Sequence, residues 1–543
     1  MNVRLIPTIR EQFRKEPVFS LAVGIGFLCS LLAVFFLIEP PNDLTTYYGR
    51  LAREFSQGNY NRAFYHMIPP LVPVLGGLAA KSGLNAFMAL KIVSSLFFLA
   101  GLWPLRRLMR RVLPAHLVPW ACLLYFICPR LVRYGTMGTL ESAKFFFLLL
   151  LFERAVSFCD GFSWKKAVLL GIGAAGLCLA RGEGIFLLPA LWFVVAVALW
   201  HQRQGDTGKA IAGTLKAVCT NLLLCLVVGA PWLYYQYRIT GFPCFDSRQV
   251  YAGKEMLYEV GLAESPPLSL NRAKEYGVKR APDRPEDKKT GWRNVRETFK
   301  GLYPAYVFLA FAGLFRKWRK REYRQNWMDG LLAFMVVYNV GLFAMQGYIT
   351  KRYISPTIPF ILPWVTLGGD WIVAGVRNAR FGSERLRRRA VAAGVTLFVL
   401  ICVWDATLDI RPSWPPEPYV AKEVGKWIGR NRDRLDVTPA PPLQSADWGI
   451  GYHTGKQPVI AGYSSHYAYW ADADLVMFDT SYEYAYETIV SVCRAKHVDI
   501  LVTGKYWEKV CPAFHDENRH FEPCEKQWPR HGIRLYTFDE SPR

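Results

Sequence analysis

The chain has 543 residues, of which 52% are hydrophobic, and it carries a formal net charge of +23. Very apolar blocks alternate with short basic ones, which is typical of a membrane protein with many spans and excludes an ordinary soluble domain. Because the basic residues cluster between apolar runs, we attribute them to the positive-inside bias and not to nucleic-acid binding.

Eleven apolar runs are candidate spans, and several are shorter than the roughly 20 residues that a helix needs to cross a bilayer. In chain order the runs are Val18–Ile38, Ala86–Leu105, Leu113–Cys128, Ala143–Phe158, Ala167–Ala180, Ile185–Trp200, Ile211–Leu233, Leu302–Phe315, Trp327–Ala344, Ile354–Val376 and Val391–Trp404. If the N-terminus is cytoplasmic, every short and strongly basic loop falls on the cytoplasmic side, including the dense cluster at 377–389. We therefore predict a multi-pass protein of the plasma (inner) membrane whose C-terminal residues are extracytoplasmic.

Three polar stretches then lie outside the membrane: 39–85, 234–300 and 411–543. We expect residues 1–410 to form the transmembrane domain, with 39–85 as a first outer loop containing interfacial helices and 234–300 as an outer loop that could act as a lid. Residues 411–543 are numerous enough for a separate domain. Strand-like runs at 458–461, 499–503 and 533–538 and a helical run at 484–496 predict an extracytoplasmic α/β domain.

The first outer loop contains a carboxylate, Asp43, directly before an amphipathic helical pattern that stops at Gly58. The apolar positions of this pattern are Leu44, Tyr48, Leu51 and Phe55. Two interpretations of Asp43 stay open on the residues alone. It could cap the helix, or it could be a catalytic carboxylate at the membrane surface.

Two cysteines of the outer domain, Cys511 and Cys524, bracket a stretch that also contains His515 and His520. Zinc binding is conceivable, but the spacing matches no established zinc pattern. An oxidising compartment favours a Cys511–Cys524 disulfide.

Ionisable residues next to or inside the apolar runs are the remaining candidates, because charges at membrane depth are costly and therefore functional by default. Snorkelling from helix ends explains some of the arginines equally well. The candidates are Arg133, Tyr134 and Glu141 before the fourth run, Arg181 and Glu183 in the turn A-R-G-E-G, and Lys351, Arg352 and Tyr353 at the start of the tenth run.

The order of these motifs resembles the GT-C superfamily, and within it the protein O-mannosyltransferase and aminoarabinose-transferase branch, often grouped as glycosyltransferase family 39. The resemblance is carried by the following features: Asp43-x-x-x-Tyr47, the Pro69-Pro70-Leu71 step, Glu141 after a basic and aromatic pair, the Arg181–Gly184 turn and the Arg352-Tyr353 step. It implies a polytopic α-helical membrane protein of about 11 spans with a C-terminal extracytoplasmic α/β domain.

The resemblance also implies the chemistry, since such enzymes pass a sugar from a polyprenyl-phosphate donor to an acceptor hydroxyl on the outer face. Asp43 is then the expected general base, and Glu141 a second catalytic carboxylate that orients the acceptor or a cation. Family members often have His or Lys directly before the Pro-Pro-Leu step, where this chain has Ile68. The residues expected to bind the donor phosphate are Arg352, Lys351, Arg133, His66 and Arg62, and those expected to contact substrate are Tyr47, Tyr134, Arg181, Glu183 and Tyr353.

We expect no obligatory cofactor, although a divalent metal remains possible, because a lipid phosphate is already a good leaving group. The expected partners are the polyprenyl-phosphate-sugar donor, membrane lipids, and an acceptor that is a lipid, a protein or a glycan, with no nucleic acid. Two alternatives are a lipid-linked sugar flippase or transporter and a metal-dependent oligosaccharyltransferase of the same superfamily. The lack of internal repeats disfavours the transporter.

Overall fold

The computed structural model describes residues 16–36, 47–60, 62–65, 68–202, 206–245, 279–280, 290–319, 327–345, 350–379, 383–410, 417–432, 451–452, 458–462, 464, 466–471, 473–478, 482–504 and 507–539. The chain divides into two compact units. The helical unit comprises residues 1–37, 68–246 and 290–411, and the sheet unit comprises 38–67, 247–289 and 412–543. Our predicted boundary at 410, which places both outer loops with the transmembrane domain, stays a prediction.

Helices account for most of the described chain. In chain order they are α1 Pro17–Phe36, α2 Gly49–Ser56, α3 Leu71–Ala80, α4 Ala86–Ala100, α5 Leu102–Val112, α6 Val118–Ile127, α7 Pro129–Thr136, α8 Glu141–Val156, α9 Trp164–Ala180, α10 Leu188–Gln202, α11 Thr207–Thr240, α12 Thr290–Gly301, α13 Pro304–Arg319, α14 Trp327–Met345, α15 Lys351–Ile354, α16 Ile358–Asn378, α17 Glu384–Ile410, α18 Glu417–Arg430, α19 His466–Ala471, α20 Tyr486–Ala495, α21 Trp507–Val510 and α22 Phe514–Glu517. Helix α2 and helices α18 to α22 belong to the sheet unit, and the others to the helical unit.

By length and composition, the described residues contain seven helices able to cross a membrane, or nine if each of two bent pairs is one span. The bent pairs are α6 with α7, at 60°, and α12 with α13, at 86°. All eleven predicted runs coincide with helices. The two that fail the length criterion are α8 and α9, which have 16 and 17 residues. The multi-pass membrane fold is therefore confirmed, whereas the count of eleven includes two helices shorter than a typical span.

Two helices of the helical unit, α13 and α16, approach each other closely through glycines. A Cβ atom on Gly313 would lie 2.0 Å from the carbonyl oxygen of Trp364, and one on Gly368 would lie 2.0 Å from that of Leu309. Such close backbone contact is the usual role of small residues between membrane helices. Helix α16 begins directly after a 3-10 turn, Ser355–Thr357, and this turn follows α15. The crossing therefore helps to place α15.

The sheet unit is built around a six-stranded mixed sheet. Its strands are β2 Gly451–Tyr452, β3 Val459–Gly462, β4 Asp474–Met477, β6 Ile500–Thr503, β7 Phe521–Pro523 and β8 Arg534–Phe538, in the order β2-β4-β3-β6-β8-β7. Strand β3 pairs in parallel with both β4 and β6, and the outer pairings are antiparallel. Two further strands, β1 Lys279–Arg280 and β5 Tyr482–Glu483, form a separate antiparallel pair.

Helices cover both faces of the six-stranded sheet. Residues of α18 and α19 form one core with Ile460, Ile500 and Leu535, and residues of α20, α21 and α22 form the other with Ala461 and Leu501. Alternate residues of a strand point to opposite faces, which explains why neighbouring strand residues belong to different cores. The predicted α/β domain is confirmed, and the three predicted strands and the predicted helix correspond to β3, β6, β8 and α20.

The cysteine prediction is wrong in this structure, because Cys511 and Cys524 are not bonded to each other. Cys511 lies in the core that contains α20 to α22, whereas Cys524 packs against the core on the opposite face of the sheet. A disulfide requires Cβ atoms about 3.8 Å apart, which the intervening sheet prevents.

The amphipathic pattern of the first outer loop does form a helix, α2, which ends near Gly58 in the left-handed conformation, with φ +82°. Tyr48 and Leu51 are buried, as the pattern predicts. Two arginines of α2 bond within the sheet unit: Arg50 Nη1 donates to the carbonyl oxygen of Ala473 at 2.7 Å, and the Arg53 guanidinium lies 4.6 Å from the ring centroid of Tyr469.

Candidate functional site

The candidate site of the helical unit is built around a carboxylate, Glu141. This residue opens α8 and is 1% exposed. Its Oε1 atom accepts hydrogen bonds from two guanidinium groups, from Arg181 Nη1 at 2.5 Å and from Arg352 Nε. A buried carboxylate is stable only when it is paired and hydrogen-bonded, and here two arginines share one oxygen.

Arg181 lies between α9 and a 3-10 helix, Gly182–Leu187, and is 3% exposed. Its guanidinium forms a bidentate pair with Glu183, through Nε and Nη2 at 2.8–3.0 Å, in addition to its bond with Glu141. It also lies 5.0 Å from the ring centroid of Tyr353. Two carboxylates and one aromatic ring thus hold Arg181 in a single position.

Arg352 and Tyr353 are adjacent on α15 but contact different groups. Arg352 points to Glu141 and keeps 23% of its side chain exposed. The Tyr353 ring stacks on Phe343 of α14, with centroids 4.9 Å apart, and Asn339 Nδ2 donates to the Tyr353 carbonyl oxygen at 3.4 Å. The end of α14 therefore supports the turn that carries Arg352.

A lysine that the sequence analysis missed, Lys144, completes the group. It lies three residues after Glu141 on the same face of α8 and is 1% exposed. Its Nζ atom lies 4.5 Å from the Phe343 ring centroid, and within the described part of the chain it has no hydrogen-bond acceptor. The signal was a lysine inside an apolar run, one turn after a glutamate that was already a candidate.

We call these five residues, Glu141, Lys144, Arg181, Glu183 and Arg352, the buried charge cluster. They come from α8, from the turn after α9 and from α15, so only the folded helical unit brings them together. Arg352 is the arginine of the cluster whose side chain is partly exposed, so an anionic group can bind beside it. Arg181 and Glu141 hold Arg352 in position.

The structure places the other predicted site residues as follows. Arg133 and Tyr134 lie half-buried on α7, and Lys351 precedes Arg352 on α15. In the sheet unit, Tyr47 stacks on Tyr65 with ring centroids 5.4 Å apart, and Arg62 is exposed. Asp43 and His66 lie outside the described residues, so their predicted roles stay predictions. Among the described residues, no group of three or more His, Cys, Asp or Glu side chains is arranged to hold a metal ion.

With the helical bundle, the mixed-sheet unit and the charge cluster described, comparison with known structures shows that the fold is similar to those of two solved membrane proteins, ArnT and AglB. No family model matches the sequence. Nor does any curated protein match it.

Two crystal structures of ArnT from Cupriavidus metallidurans are among the similar ones. The apo structure has 13% sequence identity and a TM-score of 0.56, over 95% of this chain and 97% of that one. The structure bound to undecaprenyl phosphate has 12% identity and a TM-score of 0.56, over 96% and 98% of the two chains. A third similar structure is that of the archaeal oligosaccharyltransferase AglB from Archaeoglobus fulgidus, in complex with an inhibitory peptide and a dolichol-phosphate. It has 12% sequence identity and a TM-score of 0.54, over 97% of this chain and 75% of that one. At these identities the likeness concerns the fold alone, and it agrees with the fold that the motifs led us to expect.

Proposed function

We propose that the protein is an integral-membrane glycosyltransferase that moves a sugar from a polyprenyl-phosphate donor to an acceptor hydroxyl. The observation that carries the proposal is the buried charge cluster within a GT-C fold. A fold of this class combined with fixed arginines at one buried carboxylate suits a reaction in which a phosphate leaves. We further propose that the reaction takes place on the outer face of the membrane.

In the proposed reaction, the acceptor oxygen attacks the anomeric carbon of the donor sugar. A carbon–oxygen bond forms to the acceptor, and the bond between the anomeric carbon and the phosphate oxygen breaks with its electron pair. The leaving polyprenyl phosphate gains negative charge, which Arg352 stabilises. The acceptor's proton passes to a carboxylate, for which Asp43 remains our candidate.

Within this scheme Glu141 has a supporting role. Its Oε1 atom already accepts bonds from Arg181 and Arg352. A carboxylate so engaged is a poor base, since two cations stabilise its ionised form. Glu141 therefore orients Arg352, and the general base has to be another group.

The test is direct transfer. The purified protein, reconstituted in lipid nanodiscs, is incubated with a panel of radiolabelled polyprenyl-phosphate sugars and a membrane extract as acceptor, and the labelled products are identified. Arg352→Gln should lower turnover by about 10²-fold, the usual effect of removing one transition-state donor. Arg385→Gln is the matched control, because Arg385 is exposed and belongs to the basic first turn of α17. We expect Arg385→Gln to retain wild-type turnover.

A second variant tests the base. Asp43→Asn keeps the capping oxygen and the side-chain volume but cannot accept the proton. We expect turnover to fall by roughly 10²–10⁴-fold with an unchanged melting temperature. Movement of labelled lipid across a vesicle membrane without any labelled product would instead favour the transporter. Loss of transfer on chelation would favour the metal-dependent oligosaccharyltransferase.

A further inference from the structure

Lys144 is the member of the buried charge cluster that the proposed chemistry leaves unused. Its amine is 1% exposed, and the described residues offer it no hydrogen-bond acceptor. Burial of an ammonium group without a partner is costly, so its retention inside an apolar helix calls for a compensating interaction. Within the described residues, the amine lies over the face of the Phe343 ring, 4.5 Å from its centroid.

The charges of the cluster do not balance. Both carboxylates already bond to arginines: Glu141 to Arg181 and Arg352, and Glu183 to Arg181. The largest charge interactions of Lys144 are with Glu183, Arg181, Glu141 and Arg352. Among these five residues the three cations outnumber the two carboxylates by one, and Lys144 is the cation whose amine has no hydrogen-bond partner among the described residues.

We propose that Lys144 supplies the charge that selects a lipid phosphate, so that an anionic polyprenyl phosphate neutralises the buried charge cluster when it binds beside Arg352. This inference rests on the proposed function, because it takes the donor phosphate as the anion. Lys144 acts at a distance, since it is almost fully buried whereas Arg352 retains an exposed fraction. In a medium of low effective dielectric, a charge several ångströms away still changes anion affinity by an order of magnitude.

A closed series of side-chain contacts holds the Lys144 amine in position. Lys144 lies over Phe343, Phe343 stacks on Tyr353, and Tyr353 lies under Arg181. Arg181 bonds to Glu141, which lies one helical turn before Lys144. The negative face of the Phe343 ring attracts an ammonium in this position.

The experiment measures lipid selectivity without turnover. The affinities of the full chain in detergent for undecaprenyl phosphate and for undecaprenol, the uncharged alcohol, are compared by native mass spectrometry. We expect the wild type to prefer the phosphate, and Lys144→Met to reduce that preference by about tenfold. Lys144→Arg, which keeps the charge, should restore it. Methionine is unbranched and only one heavy atom shorter than lysine, so the change is mainly one of charge.

A matched control is Lys91→Met. Lys91 is also buried in an apolar helix and lies 4.5 Å from an aromatic ring centroid, that of Phe87, but it bonds to the Ala33 and Val34 carbonyl oxygens at the end of α1. We expect Lys91→Met to lower thermal stability and to leave the preference for phosphate over alcohol unchanged.

A substitution that makes the cluster more positive distinguishes an effect of charge from a disturbed site. Glu183→Gln removes a negative charge from the cluster and should strengthen the preference for the phosphate, whereas a merely disturbed site would weaken it. This variant also decides the matter if Lys144→Met does not fold. An unchanged preference in Lys144→Met, or a weaker one in Glu183→Gln, would overturn the inference about Lys144. Neither result would contradict the proposed sugar transfer. A wild type that binds phosphate and alcohol equally would instead contradict the donor class of the proposed function.

Discussion

The crossing of α13 and α16 makes a quantitative prediction about Gly368. An added Cβ atom would lie 2.0 Å from the Leu309 carbonyl oxygen, compared with at least 3.4 Å in ordinary contact. The clashing atom is backbone, so no side-chain rotation relieves it and the helices must separate by up to about 1.4 Å. We therefore expect Gly368→Ala to destabilise the protein by roughly 3 kcal/mol, at the upper end of the cost of over-packing.

Gly369 provides the control, because a Cβ atom there meets no other atom within 4 Å. Gly369→Ala should be neutral or slightly stabilising, since alanine favours the helix more than glycine does. Thermal unfolding of both variants in the same detergent measures the difference. Because α16 follows the turn after α15, Gly368→Ala should also lower transfer activity. Equal melting temperatures for the two variants would show that the glycine contact does not hold the helices together.

Two further predictions concern buried polar groups. Glu141→Gln leaves two guanidinium groups without their shared carboxylate and should cost roughly 3–5 kcal/mol of unfolding free energy, whereas Glu384→Gln, in an exposed pair, should change it by less than about 1 kcal/mol. Similar losses in the two variants would contradict the buried pairing. In the sheet unit, burial raises the pKa of the Cys524 thiol to about 11, so its alkylation at pH 8 should be slower than that of a cysteine in a short unstructured peptide. Mass mapping of non-reduced peptides should give Cys511 and Cys524 as separate thiols, and a linked peptide pair would refute their placement on opposite faces of the sheet.

Much of the fold follows from hydrophobic patterning. All eleven apolar runs became helices, because a long apolar segment has few other ways to satisfy its backbone in lipid. The strands β3, β6 and β8 were predictable for a similar reason, since short runs rich in β-branched residues lie in the centre of a buried sheet. Strands β2 and β7, of two and three residues, were missed because they are too short to show a period, and the four-residue strand β4 was missed as well.

The sequence allowed us to predict which residues belong to the candidate site, but not which of them form hydrogen bonds with each other. Glu141, Arg181 and Arg352 were identified one by one, because each is an ionisable residue beside an apolar run. Which of them bond to each other depends on helix packing, and no local pattern contains that information. The disulfide failed for the same reason: a sequence spacing of thirteen residues does not reveal that a sheet separates Cys511 from Cys524.

The pairing assigns different tasks to the two arginines of the cluster. Arg181 is 3% exposed and bonds to both carboxylates, so a ligand would have to break existing ion pairs to reach it. Arg352 bonds to the same oxygen of Glu141 and retains 23% exposure. Because both arginines bond to the same oxygen, the position of Arg352 depends on Glu141. A residue that never touches the donor can therefore control its affinity, which is the principle on which the proposed role of Lys144 also rests.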